Sequence, residues 1–191
     1  MTGFTCCNGT ALESSTKLQN TIYFRSSDNR ELYVNLFVPS TLNWKEKGIV
    51  IEQETNFPKE DHTSLKINGK GKFTLKLRIP GWAEKGFVLK VNGKPEKIAA
   101  EPGSYVSLDR KWKDGDLVEL KIPFSFHLDP IMDQQNIASI FYGPVLLAAQ
   151  EEGPRDDWRK VKLNAKDIGS SIKGNPEELT FEVDGVLLKP F

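Results

Sequence analysis

The stretch Lys72-Phe-Thr-Leu-Lys-Leu-Arg-Ile79 alternates apolar and polar side chains without a break. Successive side chains of an extended chain point to opposite faces, so its four apolar members share one face: Phe73, Leu75, Leu77 and Ile79. The polar side chains between them fall on the other face. This period of two predicts a β-strand with one buried face and one solvated face.

The same alternation recurs along the chain, clearly at 32–38 and 118–124. It is weaker over the shorter runs 49–51, 65–67, 87–91, 106–108 and 137–142. Turn-forming pairs separate these segments, among them Asn68-Gly69, Asn92-Gly93 and Asp114-Gly115. Many short strands with polar outer faces predict an all-β fold, an antiparallel β-sandwich of jelly-roll-like form.

The first 19 residues predict a helix instead, over about residues 10–19. Thr10-x-x-Glu13 fits a capping box, in which the two side chains satisfy each other's free backbone donors. Such a short helix is not stable alone in water and needs a surface to pack against. The sequence thus predicts a helical segment over 1–19 and a β-sandwich over 20–152. An irregular tail over 153–191 would add edge strands or start a further β region.

The charges are balanced, with 26 Lys and Arg against 26 Asp and Glu. This balance argues against a nucleic-acid or anionic-membrane footprint, which needs an excess of basic residues. No apolar run approaches the roughly 18 residues that would span a bilayer. No signal peptide is visible. The tail stops directly after an apolar stretch, and we expect both ends to be cut from a longer protein.

Both cysteines of the chain are adjacent, at Cys6 and Cys7. Neighbouring thiolates can share one zinc ion, but a structural zinc site takes four ligands. The other soft or borderline ligands are His62 and His127, which lie tens of residues away without zinc-finger spacing. If the pair binds a metal, the remaining ligands must come from other sequence. On chemistry alone, the alternative of two buried or frayed thiols is preferred.

For the other candidate residues, the sequence context favours structural roles over functional ones. Trp82 follows a turn and Trp112 precedes one, which suits either a sugar-stacking platform or packing at the sandwich edge, and packing is favoured. His127 at a strand end is interpreted as a satisfied structural histidine. The carboxylate pairs Glu151-Glu152 and Asp156-Asp157 could serve acid/base chemistry. Neighbours on a strand point apart, however, so solvated loop charges are the preferred interpretation.

Four segments occur in a characteristic order. They are Phe4-Thr-Cys-Cys-Asn-Gly-Thr-Ala-Leu-Glu-Ser14, Leu77-Arg-Ile-Pro-Gly-Trp-Ala83 with Val91-Asn-Gly93, Ile137-Ala-Ser-Ile-Phe-Tyr-Gly-Pro-Val-Leu-Leu-Ala148, and Leu188-Lys-Pro-Phe191. Together they resemble glycoside hydrolase family 127 and its relative family 146, the β-L-arabinofuranosidase-type enzymes. The likeness spans most of residues 3–191.

The resemblance implies that an (α/α)6 barrel carrying the active site precedes the β-sandwich, and that the N-terminal helix is left over from it. It also implies that Cys6 is the nucleophile position and that Cys6 and Cys7 both bind zinc. The remaining zinc ligands and the acid/base Glu would lie upstream of this chain. A metal holds a thiol as the thiolate, and attack on the anomeric carbon followed by hydrolysis retains configuration.

We therefore expect the non-catalytic β-sandwich portion of a retaining, zinc-thiolate glycoside hydrolase acting on L-arabinofuranoside-like sugars in plant glycans. The intact parent would hold zinc and be periplasmic or extracellular. This chain alone would be inactive, hold no zinc, and pack on the missing (α/α)6 barrel. Two alternatives stay open: a free-standing carbohydrate-binding module that uses Trp82 or Trp112, and a structural interaction domain.

Overall fold

The computed structural model describes residues 5–150, 153, 159–164 and 166–191. Helix α1 spans Thr5–Ile22, and two short 3-10 helices span Lys45–Lys47 and Ile168–Ser171. Among the described residues, no helix combines the length and hydropathy needed to cross a bilayer.

The strands of the first part of the chain are β1 (Tyr23–Arg25), β2 (Glu31–Val34), β3 (Ser40–Trp44), β4 (Ile49–Thr55), β5 (His62–Asn68), β6 (Gly71–Arg78), β7 (Val88–Val91), β8 (Lys94–Pro95), β9 (Tyr105–Trp112) and β10 (Asp116–Lys121). The later strands are β11 (Phe126–Ile131), β12 (Gln134–Tyr142), β13 (Val145–Ala149), β14 (Ile172–Asn175), β15 (Thr180–Val183) and β16 (Val186–Pro190).

The first ten strands form two sheets. The first sheet has the order β1-β2-β6-β9, and the second has the order β3-β4-β5-β10-β7-β8. All neighbours are antiparallel except β2 and β6, which pair in parallel with Leu32 opposite Leu75. The predicted all-β, mainly antiparallel fold is confirmed.

The apolar faces of these two sheets share one core, as the sandwich prediction requires. Strand β6 supplies Phe73, Leu75 and Leu77, each at most 2% exposed, while its intervening polar side chains are half-buried or exposed. Burying a side chain of this size stabilises the fold by about 1.5–3 kcal/mol. The alternation in 72–79 therefore identifies the strand at the centre of the core.

The predicted strand over 32–38 is correct only in its first half. Strand β2 ends at Val34, Leu36 is half-buried, and Val38 is 39% exposed. The chain leaves the sheet at Asn35 because the backbone amides of Asn35 and Leu36 donate to the carbonyl of Ile22, at 2.8 and 3.3 Å. Satisfying the end of helix α1 therefore takes precedence over continuing the apolar alternation.

Helix α1 starts five residues earlier than predicted, so the expected capping box is wrong. Thr10 lies inside the helix, where its carbonyl accepts a hydrogen bond from Ser14 Oγ at 2.9 Å. Glu13 pairs instead with Lys17, one turn later. At the far end, Asn35 Nδ2 donates to the Thr21 carbonyl at 3.1 Å and ties the helix to the first sheet.

A third sheet has the order β11-β12-β13-β16-β15-β14 and is entirely antiparallel. Strands from residues 126–149 thus pair directly with strands from residues 172–190. This sheet has its own apolar cluster, built around Leu147, Phe181 and Leu188. The jelly-roll-like connectivity, the division at 19/20 and 152/153, and the origin of the helix in a barrel stay predictions.

Candidate functional site

The cysteine pair lies in the first turn of helix α1, but the side chains of Cys6 and Cys7 are outside the described part of the structure. Their catalytic and zinc-binding roles therefore stay predictions. Among the residues that the structure does describe, no group of three or more His, Cys, Asp or Glu is arranged to hold a metal. His62 and His127 belong to different sheets. The pairs Glu151-Glu152 and Asp156-Asp157, like Trp158, lie outside the described residues.

Trp112 is a core residue and not a surface platform. Its side chain is 1% exposed, its ring lies 5.6 Å from that of Phe73, and its Nε1 donates to the Phe73 carbonyl at 3.0 Å. Trp44 is also buried, at 3% exposure. A buried ring offers no face to a saccharide, so the packing interpretation is correct for Trp112 and this residue is withdrawn as a sugar-binding candidate.

Trp82 has a different environment, in the loop that follows β6. The ring is half-buried, stacks near Phe57 with centroids 6.3 Å apart, and meets Phe124 edge-on at 5.6 Å. Phe124 in turn contacts Tyr142 of β12 edge-on at 5.7 Å. This chain of aromatic rings connects the sandwich to the third sheet. Packing therefore fixes one side of the Trp82 ring, and the other side stays a candidate surface for sugar binding.

A cleft of about 480 Å³ lies beside this ring, and we name it the junction cleft. Its walls come from the loop after β6, from β11 and β12, and from the turn between β12 and β13. Its principal lining residues are Trp82, Glu84, His127, Asp129, Phe141 and Pro144. The cleft thus lies where the sandwich meets the third sheet.

His127 and Phe141 form one wall of the junction cleft. They are direct partners in the β11–β12 ladder, and their rings stack 5.2 Å apart with planes inclined by 13°. His127 Nδ1 is buried and has no hydrogen-bond partner among the described residues. The ring packs as a structural histidine should, but the expected satisfaction of its polar atoms is wrong for Nδ1. Leaving such an atom unpaired costs about 1–3 kcal/mol.

The acidic groups of the junction cleft are Glu84 and Asp129, both exposed. The cleft lining includes no Lys or Arg side chain among the described residues, so the charge of its wall is negative at neutral pH. Behind the cleft, burial raises the pKa of the Tyr142 phenol, and the negative charge of Asp61 adds to the effect. Tyr142 is therefore protonated at neutral pH and adds no charge.

The turn into β13 depends on a glycine. Gly143 has φ +54°, its amide donates to the Ser125 carbonyl at 3.0 Å, and an added Cβ would lie 2.6 Å from the Phe124 ring. That contact is too close for two carbon atoms, so the ring or the turn would have to move. Gly143 therefore permits the close approach of the turn to the aromatic chain between the sheets.

We expect Gly143→Ala to lower the free energy of unfolding by about 1–3 kcal/mol, because it combines overpacking with an unfavourable φ. Urea denaturation measures the change. Gly103→Ala is the matched control, since Gly103 also has a positive φ, +80°, but has open space around its Cβ position. Equal losses in the two variants would mean that the clash with Phe124 contributes nothing.

A second cleft, of about 710 Å³, lies on the third sheet. Its lining is mainly aliphatic, including Ile140, Leu147 and Leu188, with Arg159 and Lys160 at one side. The described lining residues include neither a carboxylate nor an imidazole. The junction cleft is therefore the site with the richer chemistry.

The sequence pointed to only part of the junction cleft. The sequence indicates Trp82 and His127 individually as candidates. It does not indicate Glu84, Asp129 or Phe141 as binding residues. These groups come from segments far apart in the chain, and no local spacing reveals their proximity. The feature of the sequence that could have indicated the cleft residues is the placement of aromatic and acidic residues next to predicted turns.

Comparison with known proteins identifies the sandwich. Residues 31–124 match the family model of the β-L-arabinofuranosidase GH127 middle domain. A non-reducing end β-L-arabinofuranosidase of Bifidobacterium longum subsp. longum is 24% identical over 195 residues, which cover 95% of this chain and 28% of that protein.

Solved structures agree with this match. A structure described as a glycoside hydrolase superposes with a TM-score of 0.65 and 31% identity, over 74% of this chain and 25% of that one. A GH127 β-L-arabinofuranosidase from Geobacillus stearothermophilus T6 gives a TM-score of 0.64 and 28% identity, over 74% of this chain and 23% of that one. The chain spans about a quarter of the length of these relatives. It is therefore of the glycoside hydrolase family 127 type, and residues 31–124 match the middle domain of that family.

Proposed function

We propose that this chain is the β-sandwich portion, inactive by itself, of a retaining glycoside hydrolase that removes L-arabinofuranoside-like sugars from plant glycans, with helix α1 left over from its catalytic barrel. The middle-domain match at residues 31–124 supports the enzyme class. The bifidobacterial relative is a non-reducing end β-L-arabinofuranosidase, which supports the sugar. The observation that carries the assignment to a supporting role is the exposure of helix α1.

Helix α1 is 18 residues long, and its described side chains over 9–14 and 16–20 are exposed. Leu12 is 71% exposed and Leu18 is 57% exposed. In proteins, most of the stability of a helix comes from tertiary packing of its apolar side chains. We infer that α1 packs against another part of the parent protein, the (α/α)6 barrel, and that the sandwich stabilises this arrangement from its outer side.

The cysteine pair gives this helix a chemical role in the parent. Two adjacent thiolates suit zinc by their softness, but they are only half of a four-ligand set. The remaining ligands are proposed to come from the barrel, so this chain alone is not expected to retain the ion. When bound, zinc would hold the Cys6 and Cys7 side chains as thiolates at neutral pH.

Cys6 then acts as the nucleophile. Its sulfur forms a bond to the anomeric carbon as the glycosidic oxygen leaves with a proton from an acid/base carboxylate of the barrel. Water, deprotonated by the same carboxylate, displaces the thiolate from the sugar in the second step. Two displacements at one carbon retain the configuration.

We expect the isolated 191-residue chain to show no hydrolysis of p-nitrophenyl L-arabinofuranosides, with or without added zinc, because the acid/base carboxylate is proposed to lie in the barrel. The release of p-nitrophenol is measured against the parent protein as a positive control. Turnover by the isolated chain comparable to that of the parent, and abolished by Cys6→Ala, would overturn the supporting role.

A further inference from the structure

The junction cleft lies between the sandwich and the third sheet. Ligand sites are common at such interfaces between parts of a fold. Trp82 forms one wall, and the stacked pair of His127 and Phe141 forms another. Packing against Phe57 and Phe124 holds the Trp82 ring. Strand pairing fixes the register of His127 opposite Phe141. Both aromatic walls are therefore positioned before any ligand arrives.

The polar groups of the cleft can mainly accept hydrogen bonds. Glu84 and Asp129 are exposed, and neither forms an ion pair with any residue the structure describes. An ionised carboxylate accepts hydrogen bonds and donates none. A ligand that uses these two groups must therefore supply hydroxyl or N–H donors.

His127 adds one adaptable group. Its ring lines the cleft, and its buried Nδ1 has no hydrogen-bond partner among the described residues. A neutral imidazole nitrogen accepts or donates according to its tautomer. The ring can therefore donate a hydrogen bond to a ligand hydroxyl or accept one from it.

A ligand with an apolar face and several hydroxyl donors satisfies both kinds of wall. A pyranose or furanose ring presents C–H groups to an aromatic face and hydroxyls at its edge. An organic cation could also lie over Trp82. The carboxylates are exposed, however, and charge attraction between exposed groups is weak.

We propose that the junction cleft binds a saccharide, which stacks on Trp82 and donates hydroxyl hydrogen bonds to Glu84 and Asp129. This inference rests on the proposed function, because it takes the saccharide to be part of the glycan on which the parent acts.

Isothermal titration of the 191-residue chain with a β-linked L-arabinofuranosyl tetrasaccharide tests the proposal. We expect saturable binding that Trp82→Ala and Asp129→Asn each weaken about tenfold, the equivalent of about 1.4 kcal/mol. Trp82→Phe retains a stacking face and should bind within about threefold of the wild type. Asp109→Asn removes a similarly exposed carboxylate outside the cleft and should change nothing.

Asp129→Asn keeps the test decisive if Trp82→Ala disturbs folding, since Asp129 is exposed. Binding that both variants leave unchanged would place the saccharide elsewhere. Binding of tetramethylammonium but not of the tetrasaccharide would identify a cation site and overturn the proposal. A flat titration with both probes would also overturn it. None of these results bears on the supporting role of the chain, because the hydrolysis assay reads turnover and the titration reads binding alone.

Discussion

Replacing Trp112 with alanine is expected to lower the free energy of unfolding by about 3–5 kcal/mol, the cost of truncating a buried aromatic side chain to a methyl group. The ring is 1% exposed, packs against Phe73, and donates its Nε1 hydrogen to the Phe73 carbonyl. Its removal leaves a cavity between the two sheets. Since whole domains are stable by only about 5–15 kcal/mol, the loss is a large share of the total.

Urea denaturation followed by circular dichroism measures this change. Leu187→Ala is the control, because Leu187 is 41% exposed and its truncation should cost less than about 0.5 kcal/mol. Trp112→Phe should lie between the two, since it keeps an aromatic ring but loses the hydrogen bond to Phe73. A Trp112→Ala variant as stable as the control would contradict the core role of this residue and return it to the candidate sugar-binding groups.

The sandwich itself could be predicted because its evidence is local. In 72–79 every second side chain is apolar, and no other regular structure buries that set on one face. The balanced charge and the turn pairs point the same way. The family resemblance rested on short motifs in order. The middle-domain match at residues 31–124, together with the relatives that cover more of the chain, confirms the resemblance to the family.

The strand pairing of the third sheet could not be predicted, because the evidence for it is not local. Strand β13 pairs with β16, placing Ala149 opposite Leu188 across a long intervening segment. Nothing in the period of either strand specifies its partner. The same limit hid the junction cleft, whose walls come from three separate segments.

Helix α1 shows a different limit. Thr10 and Glu13 form a correct capping pattern at the wrong position, because the helix already begins at Thr5. A capping box marks a site where a helix can start, and it does not prevent the helix from starting earlier. Similarly, the alternation over 32–38 failed at Asn35, where hydrogen bonds to the end of α1 draw the chain out of the sheet.

We propose that helix α1 carries the nucleophile of a catalytic site shared with the rest of the parent protein. In that protein, Cys6→Ala should lower kcat for an L-arabinofuranoside by at least about 10³-fold, because a covalent mechanism has no substitute for its nucleophile. The melting temperature should stay close to that of the wild type. Ser14→Ala, on an exposed turn of the same helix, should retain full activity.

The most direct measurement is therefore the steady-state hydrolysis of a p-nitrophenyl L-arabinofuranoside by the parent protein and its Cys6→Ala variant, with thermal melting recorded for both. If Cys6 is the nucleophile, the variant loses turnover while the protein stays folded. A folded Cys6→Ala variant with wild-type turnover would show that Cys6 is not the nucleophile and would remove the cysteine pair from the catalytic site.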